Sequence, residues 1–106
     1  MATSREPIDN LTILGSAVSV PTHVVYRAFA HETVILNLQT GKYHGINAVG
    51  ARMLDVLQKA ATVRAGAAQL AEEFDRPVEQ IESDVSAFCS DLAQRGLIEL
   101  KSDDDS

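Results

Sequence analysis

Between Ala17 and Asn47 apolar and polar residues alternate in several period-two stretches, and after Asn47 the apolar spacing lengthens to three and four. That change of period divides the chain into a strand-forming half and a helix-forming half. Three strands are predicted, at Val24 to Ala30, Thr33 to Leu38 and Lys42 to Ile46. The second alternates most cleanly, with Val34, Leu36 and Leu38 on one face and Ile35 and Asn37 on the other. The connection Gln39-Thr40-Gly41 is short and holds a glycine suited to a positive φ, so the second and third strands form an antiparallel hairpin. Ala17 to Val20, ended by Pro21, reads as an additional short strand. Asn47 caps a first helix whose apolar positions are Val49, Met53, Val56 and Leu57 and which ends near Lys59. Thr62 caps a second, Val63 to Phe74, with Val63, Ala67, Leu70 and Phe74 on one stripe and Gly66 weakening it. Pro77 takes the first position of a third helix, whose seam is Ile81, Val85, Phe88 and Leu92 and which ends at Gly96. Leu97 to Leu100 adds a final extended piece. A small three-stranded antiparallel sheet followed by three helices is an α+β domain in which helices cover one face of the sheet.

The chain has 106 residues, enough for one hydrophobic core. Met1 to Asn10 and Lys101 to Ser106, the latter with three consecutive aspartates, have little to bury and are expected to be flexible tails around a domain spanning 11–100. No apolar stretch approaches the roughly 18 residues needed to cross a bilayer, and the first ten residues lack the layout of a secretory signal. A cytoplasmic protein that does not engage a membrane is expected. The net charge of −6 is unevenly spread: residues 1–53 carry four basic and three acidic residues, residues 54–106 five and twelve. The helical half therefore repels polyanions.

Candidate chemistry is sparse. Cys89 and His44 are a conceivable thiol and imidazole couple, but Cys89 adjoins Phe88 on the apolar side of the third helix, where a lone cysteine behaves as a small hydrophobe. His23, His31 and His44 do not repeat at a metal-ligand spacing, and Gly41, Gly45 and Gly50 match no phosphate-binding motif. Glu72-Glu73 reads as part of a solvated helix face. No catalytic residue, metal or cofactor is expected. Three helices packed on a small sheet also outline a winged helix-turn-helix, which would place the third helix in a DNA groove. That helix, from Val78 to Arg95, carries Glu79, Glu82, Asp84 and Asp91 against Arg95 alone, the wrong sign for a phosphate backbone, so no nucleic-acid partner is expected. Recognition of another chain remains. A three-stranded sheet cannot close on itself, so one edge exposes N–H and C=O groups to an incoming strand. With Lys42 to Ile46 as that edge, alternate guest side chains enter the cleft beside the third helix. The alternative for Tyr43 and Ile46 is the domain's own core. The same edge can join two copies, so a monomer or weak homodimer is expected.

Ser19-Val20-Pro21, Glu32 to Leu38, Thr40 to Gly50, Asp84-Val85, Phe88, Leu92 and Gly96-Leu97 together resemble the PqqD-like proteins. The resemblance implies a winged helix-turn-helix-like domain of the kind called a RiPP recognition element. It implies a non-catalytic peptide chaperone that binds the leader of a ribosomally made precursor peptide and presents it to a modifying enzyme, such as a leader peptidase or a radical SAM enzyme. The leader adds as a strand beside the third strand and lies against the third helix. Carried over by position, the peptide-binding residues are Lys42, Tyr43, His44, Gly45 and Ile46 with Ile81, Asp84, Val85 and Phe88. Asp84, Asp91 and Arg95 lie on one flank of the helix and Glu82, Ser86 and Cys89 on the other, the Asp84 flank being favoured for the groove. A lasso-peptide or similar pathway is the preferred reading, with pyrroloquinoline quinone production the alternative. Leu54 stands where many relatives have tryptophan, and Ile46 where leucine is usual; both keep apolar bulk.

Overall fold

The computed structural model describes residues 10–102; the ends of the two expected tails, 1–9 and 103–106, lie outside the described residues. In chain order the elements are α1 (Asn10–Leu14), β1 (Ser16–Ser19), β2 (Val24–Ala28), β3 (Thr33–Asn37), β4 (Tyr43–Ile46), α2 (Ala48–Lys59), α3 (Val63–Phe74), α4 (Val78–Gln94) and β5 (Glu99–Ser102). The three expected strands form one antiparallel sheet in the order β2-β3-β4, with Val25, Leu36 and Tyr43 in one row across it. Gly41 turns the hairpin with φ 77°, a left-handed conformation that favours glycine. The two remaining extended pieces pair with each other: β1 runs antiparallel to β5, Val18 opposite Leu100, and joins the two ends of the domain. β5 thereby reaches Lys101 and Ser102, which the sequence pattern assigns to the acidic tail, since ladder pairing needs backbone groups rather than apolar side chains. α1 likewise starts at Asn10, one residue inside the expected N-terminal tail.

Asn47 Oδ1 accepts from the Gly50 N–H at 2.8 Å. Thr62 Oγ1 accepts from the Ala65 N–H at 3.1 Å. Both α2 and α3 therefore begin on the expected caps. α4 differs. Pro77 is its N-cap in extended backbone, ψ 138°, rather than its first helical residue, and no side chain caps the helix. At the other end Gly96 is left-handed at φ 76°. The Leu97 N–H closes on the Leu92 carbonyl at 2.9 Å, which completes a glycine-terminated helix end.

The core lies between the helices and the inner face of the sheet, around Ile13, Ile35, Leu54, Leu57, Leu70 and Val85. On β3 the buried side is Thr33, Ile35 and Asn37; Val34 and Leu36 are half-buried and Leu38 is exposed. α2 buries Gly50, Leu54, Val56 and Leu57; of the other expected positions, Met53 is half-buried against the core and Val49 is exposed. The cause is close approach: a Cβ on Gly50 would stand 3.3 Å from Phe88 Cε1, so Gly50 must face α4 and Val49 turns outward. Gly66, expected to weaken α3, has a similar packing role, for its Cβ would fall 2.8 Å from Leu57 Cδ2. Among the described residues no helix is long and apolar enough to cross a membrane.

Candidate peptide-binding site

β4 is the last strand of its sheet. The Asn37 N–H donates to the Lys42 carbonyl at 2.9 Å, which makes Asn37 and Lys42 a hydrogen-bonded pair. Antiparallel alternation then turns the main-chain groups of His44 and Ile46 toward β3 and those of Tyr43 and Gly45 away from it. No described strand pairs with that outer row. Side chains alternate at right angles to this: His44 and Ile46 point to the inner face and are half-buried, whereas Tyr43 stands on the outer face, 73% exposed. Tyr43 is therefore not in the core. Lys42 is exposed and its N–H is taken by Thr40 Oγ1 at 3.1 Å.

Two contacts fix the wall opposite β4. Arg95 Nη1 lies 3.2 Å from His44 Nδ1, and Arg95 Nε donates to Asp91 Oδ1 at 3.1 Å. Farther along the cleft, Phe88 and Ile46 converge on Gly50, where an added Cβ would meet Phe88 Cε1 at 3.3 Å and Ile46 Cβ at 3.5 Å. Asp84, Phe88, Asp91 and Arg95, at steps of four, three and four, form one stripe of α4 turned toward the strand. On the other flank Ser86 and Cys89 are fully buried. Burial pushes the Cys89 thiol up to about 12. It therefore offers no thiolate, and the His44 ring is engaged by Arg95 instead.

Along α4, before Phe88, the surface opens into a pocket of about 350 Å³ lined by Val49, Met53, Phe74, Arg76, Ile81 and Asp84. Beside it Arg52 of α2 is tied to α3, donating from Nε and Nη2 to the two Glu73 oxygens at 2.7 and 2.8 Å and, within α2, from Nη1 to Asp55 at 2.9 Å. The bidentate guanidinium holds the Glu73 carboxyl below its usual range. Arg52 and Glu73 each directly precede a residue of the pocket lining, Met53 and Phe74.

Of the residues singled out from sequence, the structure brings His44, Ile46 and Phe88 together around the cleft, with Tyr43 and Gly45 on its rim and Ile81 and Asp84 in the pocket. Val85 has no exposed surface; it belongs to the core under the stripe. Sequence reasoning missed Val49, Met53, Phe74 and Arg76 as pocket residues. The first three match the apolar period of their helices; Val49 and Phe74 stand near helix ends, whereas nothing in the sequence sets mid-helix Met53 apart.

Over residues 32–98 the chain matches the family described as Coenzyme PQQ synthesis protein D (PqqD). Among solved structures it is similar to TbiB1 in complex with the TbiA(beta) leader peptide, at 30% sequence identity and a TM-score of 0.68 over 76% of this chain and 93% of that one. It is also similar to a lasso peptide synthetase B1 complexed with the leader peptide, at 18% identity and a TM-score of 0.71 over 77% of this chain and 96% of that one, a likeness of fold. No curated protein sequence matches it significantly. The family match spans more than half of the chain and covers the β3–β4 hairpin, α2, α3 and α4, and the chain belongs to the PqqD family.

Proposed function

We propose that this protein is a non-catalytic leader-peptide-binding protein. It captures a ribosomally made precursor peptide by strand addition at β4 and presents it to a modifying enzyme or leader peptidase in the cytoplasm. The observation that carries this reading is the outward row of Tyr43 and Gly45 main-chain groups beside the Phe88 stripe of α4. The similarity to TbiB1, a structure holding a leader peptide, supports it.

Magnitudes decide how the site divides its labour. Four edge hydrogen bonds at about 1 kcal/mol each give about 4 kcal/mol, while micromolar affinity needs about 8 kcal/mol. Strand addition therefore supplies register, and burial of guest side chains over His44, Ile46, Phe88 and the adjoining pocket supplies the remainder. A lasso-peptide or similar pathway fits the two leader-bound structures that share this fold. The second reading, presentation to a radical SAM enzyme in pyrroloquinoline quinone production, has the description of the matched family behind it and is the less supported of the two.

The test is calorimetric titration of the full chain with the leader of the precursor peptide encoded beside it, with the TbiA(beta) leader as comparator. One-to-one binding in the micromolar range is expected for the former. Heat no greater than that of a scrambled sequence would overturn the proposal.

A further inference from the structure

The sheet has a second face; of the residues on it, the peptide site uses only the main-chain groups of Tyr43 and Gly45. Strand alternation places Val25, Arg27 and Phe29, Glu32, Val34, Leu36 and Leu38, and Tyr43 and Gly45 on the side away from the helices. Val25 is 46% exposed, Phe29 60%, Leu38 57% and Tyr43 73%. Val25, half-buried Leu36 and Tyr43 make one apolar row across all three strands, with half-buried Val34 on one side of it and Leu38 on the other. Single exposed apolar side chains are ordinary; a contiguous patch marks an interaction surface.

We propose that this outer face binds a second copy of the chain, sheet on sheet. Charge selects that occupant. The acidic excess of the protein lies in residues 54–106, whereas this face holds one arginine, Arg27, and one glutamate, Glu32, at the same end of the sheet. A surface carrying one charge of each sign matches itself about a twofold axis, with Arg27 of each copy toward Glu32 of the other. Two sheets packed at about 10 Å also leave the acidic helical layers on opposite outer sides, separated by more than the Debye length of about 8 Å at physiological salt.

Area sets the strength. Three strands about 4.8 Å apart and about five residues long cover roughly 14 by 17 Å, well short of the ~800 Å² per partner of stable dimers. The pair is a weak one, formed at high micromolar concentration and above. It leaves both β4 edges open. Edge-to-edge pairing of two β4 strands, in contrast, would occupy the peptide site.

Sedimentation equilibrium of the full chain without peptide, from 20 μM to about 1 mM, tests this independently of the proposed function. The average mass is expected to climb from the 11.4 kDa of one chain toward twice that value. Dilution spectra should move the amides of Val25, Leu36 and Leu38. The Val25→Lys/Leu38→Lys double variant, with its melting temperature as a folding control, should remain monomeric throughout; Leu38→Thr, which keeps strand propensity, should weaken association at least about threefold. A native protein monomeric at 1 mM, or association undiminished in the double variant, would overturn the proposal.

Discussion

Arg95 Nη1 stands 3.2 Å from His44 Nδ1 and links the C-terminal end of α4 to the edge strand of the sheet. For that contact to be a hydrogen bond, Nδ1 must be the unprotonated ring nitrogen, since an arginine only donates. Arg95→Ala is expected to change global stability by less than about 1 kcal/mol, the scale of an exposed polar pair. The same change releases β4 from α4, so leader affinity is expected to fall about two- to tenfold. Calorimetry beside thermal unfolding checks both numbers. Equal losses in the two would mean that Arg95 is merely structural.

Gly45 separates the backbone of β4 from its side chains. Its N–H faces the open edge, where proline is tolerated in sheets. Gly45→Pro should preserve folding and weaken leader binding by about tenfold or more, through a lost donor and a ring in the path of the guest. Gly45→Ala should bind as the native protein does, because its Cβ meets only the exposed end of Glu32, at 2.8 Å from Oε1. A proline variant that binds normally would exclude strand addition at this edge.

Gly66 concerns stability alone. Alanine there gains about 1 kcal/mol of helix propensity. Its Cβ, however, lands 2.8 Å from the buried Leu57 Cδ2. Overpacking of that kind costs about 1–3 kcal/mol, so Gly66→Ala is expected to lower the urea midpoint. A raised midpoint would show that α2 and α3 separate without cost.

Cys89 predicts an alkaline effect. Burial raises its thiol from 9.0 to about 12, so the folded chain keeps a proton that the unfolded chain sheds. The contribution is complete below pH 9 and is lost as pH rises from there toward 12. The loss is on the order of 1 kcal/mol per pH unit. The stability difference between the native protein and Cys89→Ala should therefore shrink between pH 8 and pH 10.5 in urea titrations. A difference independent of pH would contradict this.

The hairpin at Gly41, the caps at Asn47 and Thr62 and the stop at Gly96 are legible in the sequence because each is a local requirement of a turn or a helix end. α1 is not, since so short a helix shows no period, and neither is the β1–β5 pairing, which joins opposite ends of the domain. In the site, β4 and Phe88 are legible through the hairpin and the helical seam. The pocket is not: whether Val49 or Leu54 is buried depends on Gly50 packing against Phe88, a tertiary contact that helical period does not encode.

Tyr43 and Gly45 offer a guest strand main-chain groups that no described strand pairs. Amide exchange by NMR, with and without saturating leader peptide, tests this most directly. The Tyr43 and Gly45 amides should exchange rapidly in the free protein and slow at least about tenfold in the complex, while the His44 amide, already paired to β3, changes little. Protection of Tyr43 and Gly45 before any peptide is added, or rapid exchange there in a saturated complex, would contradict the account.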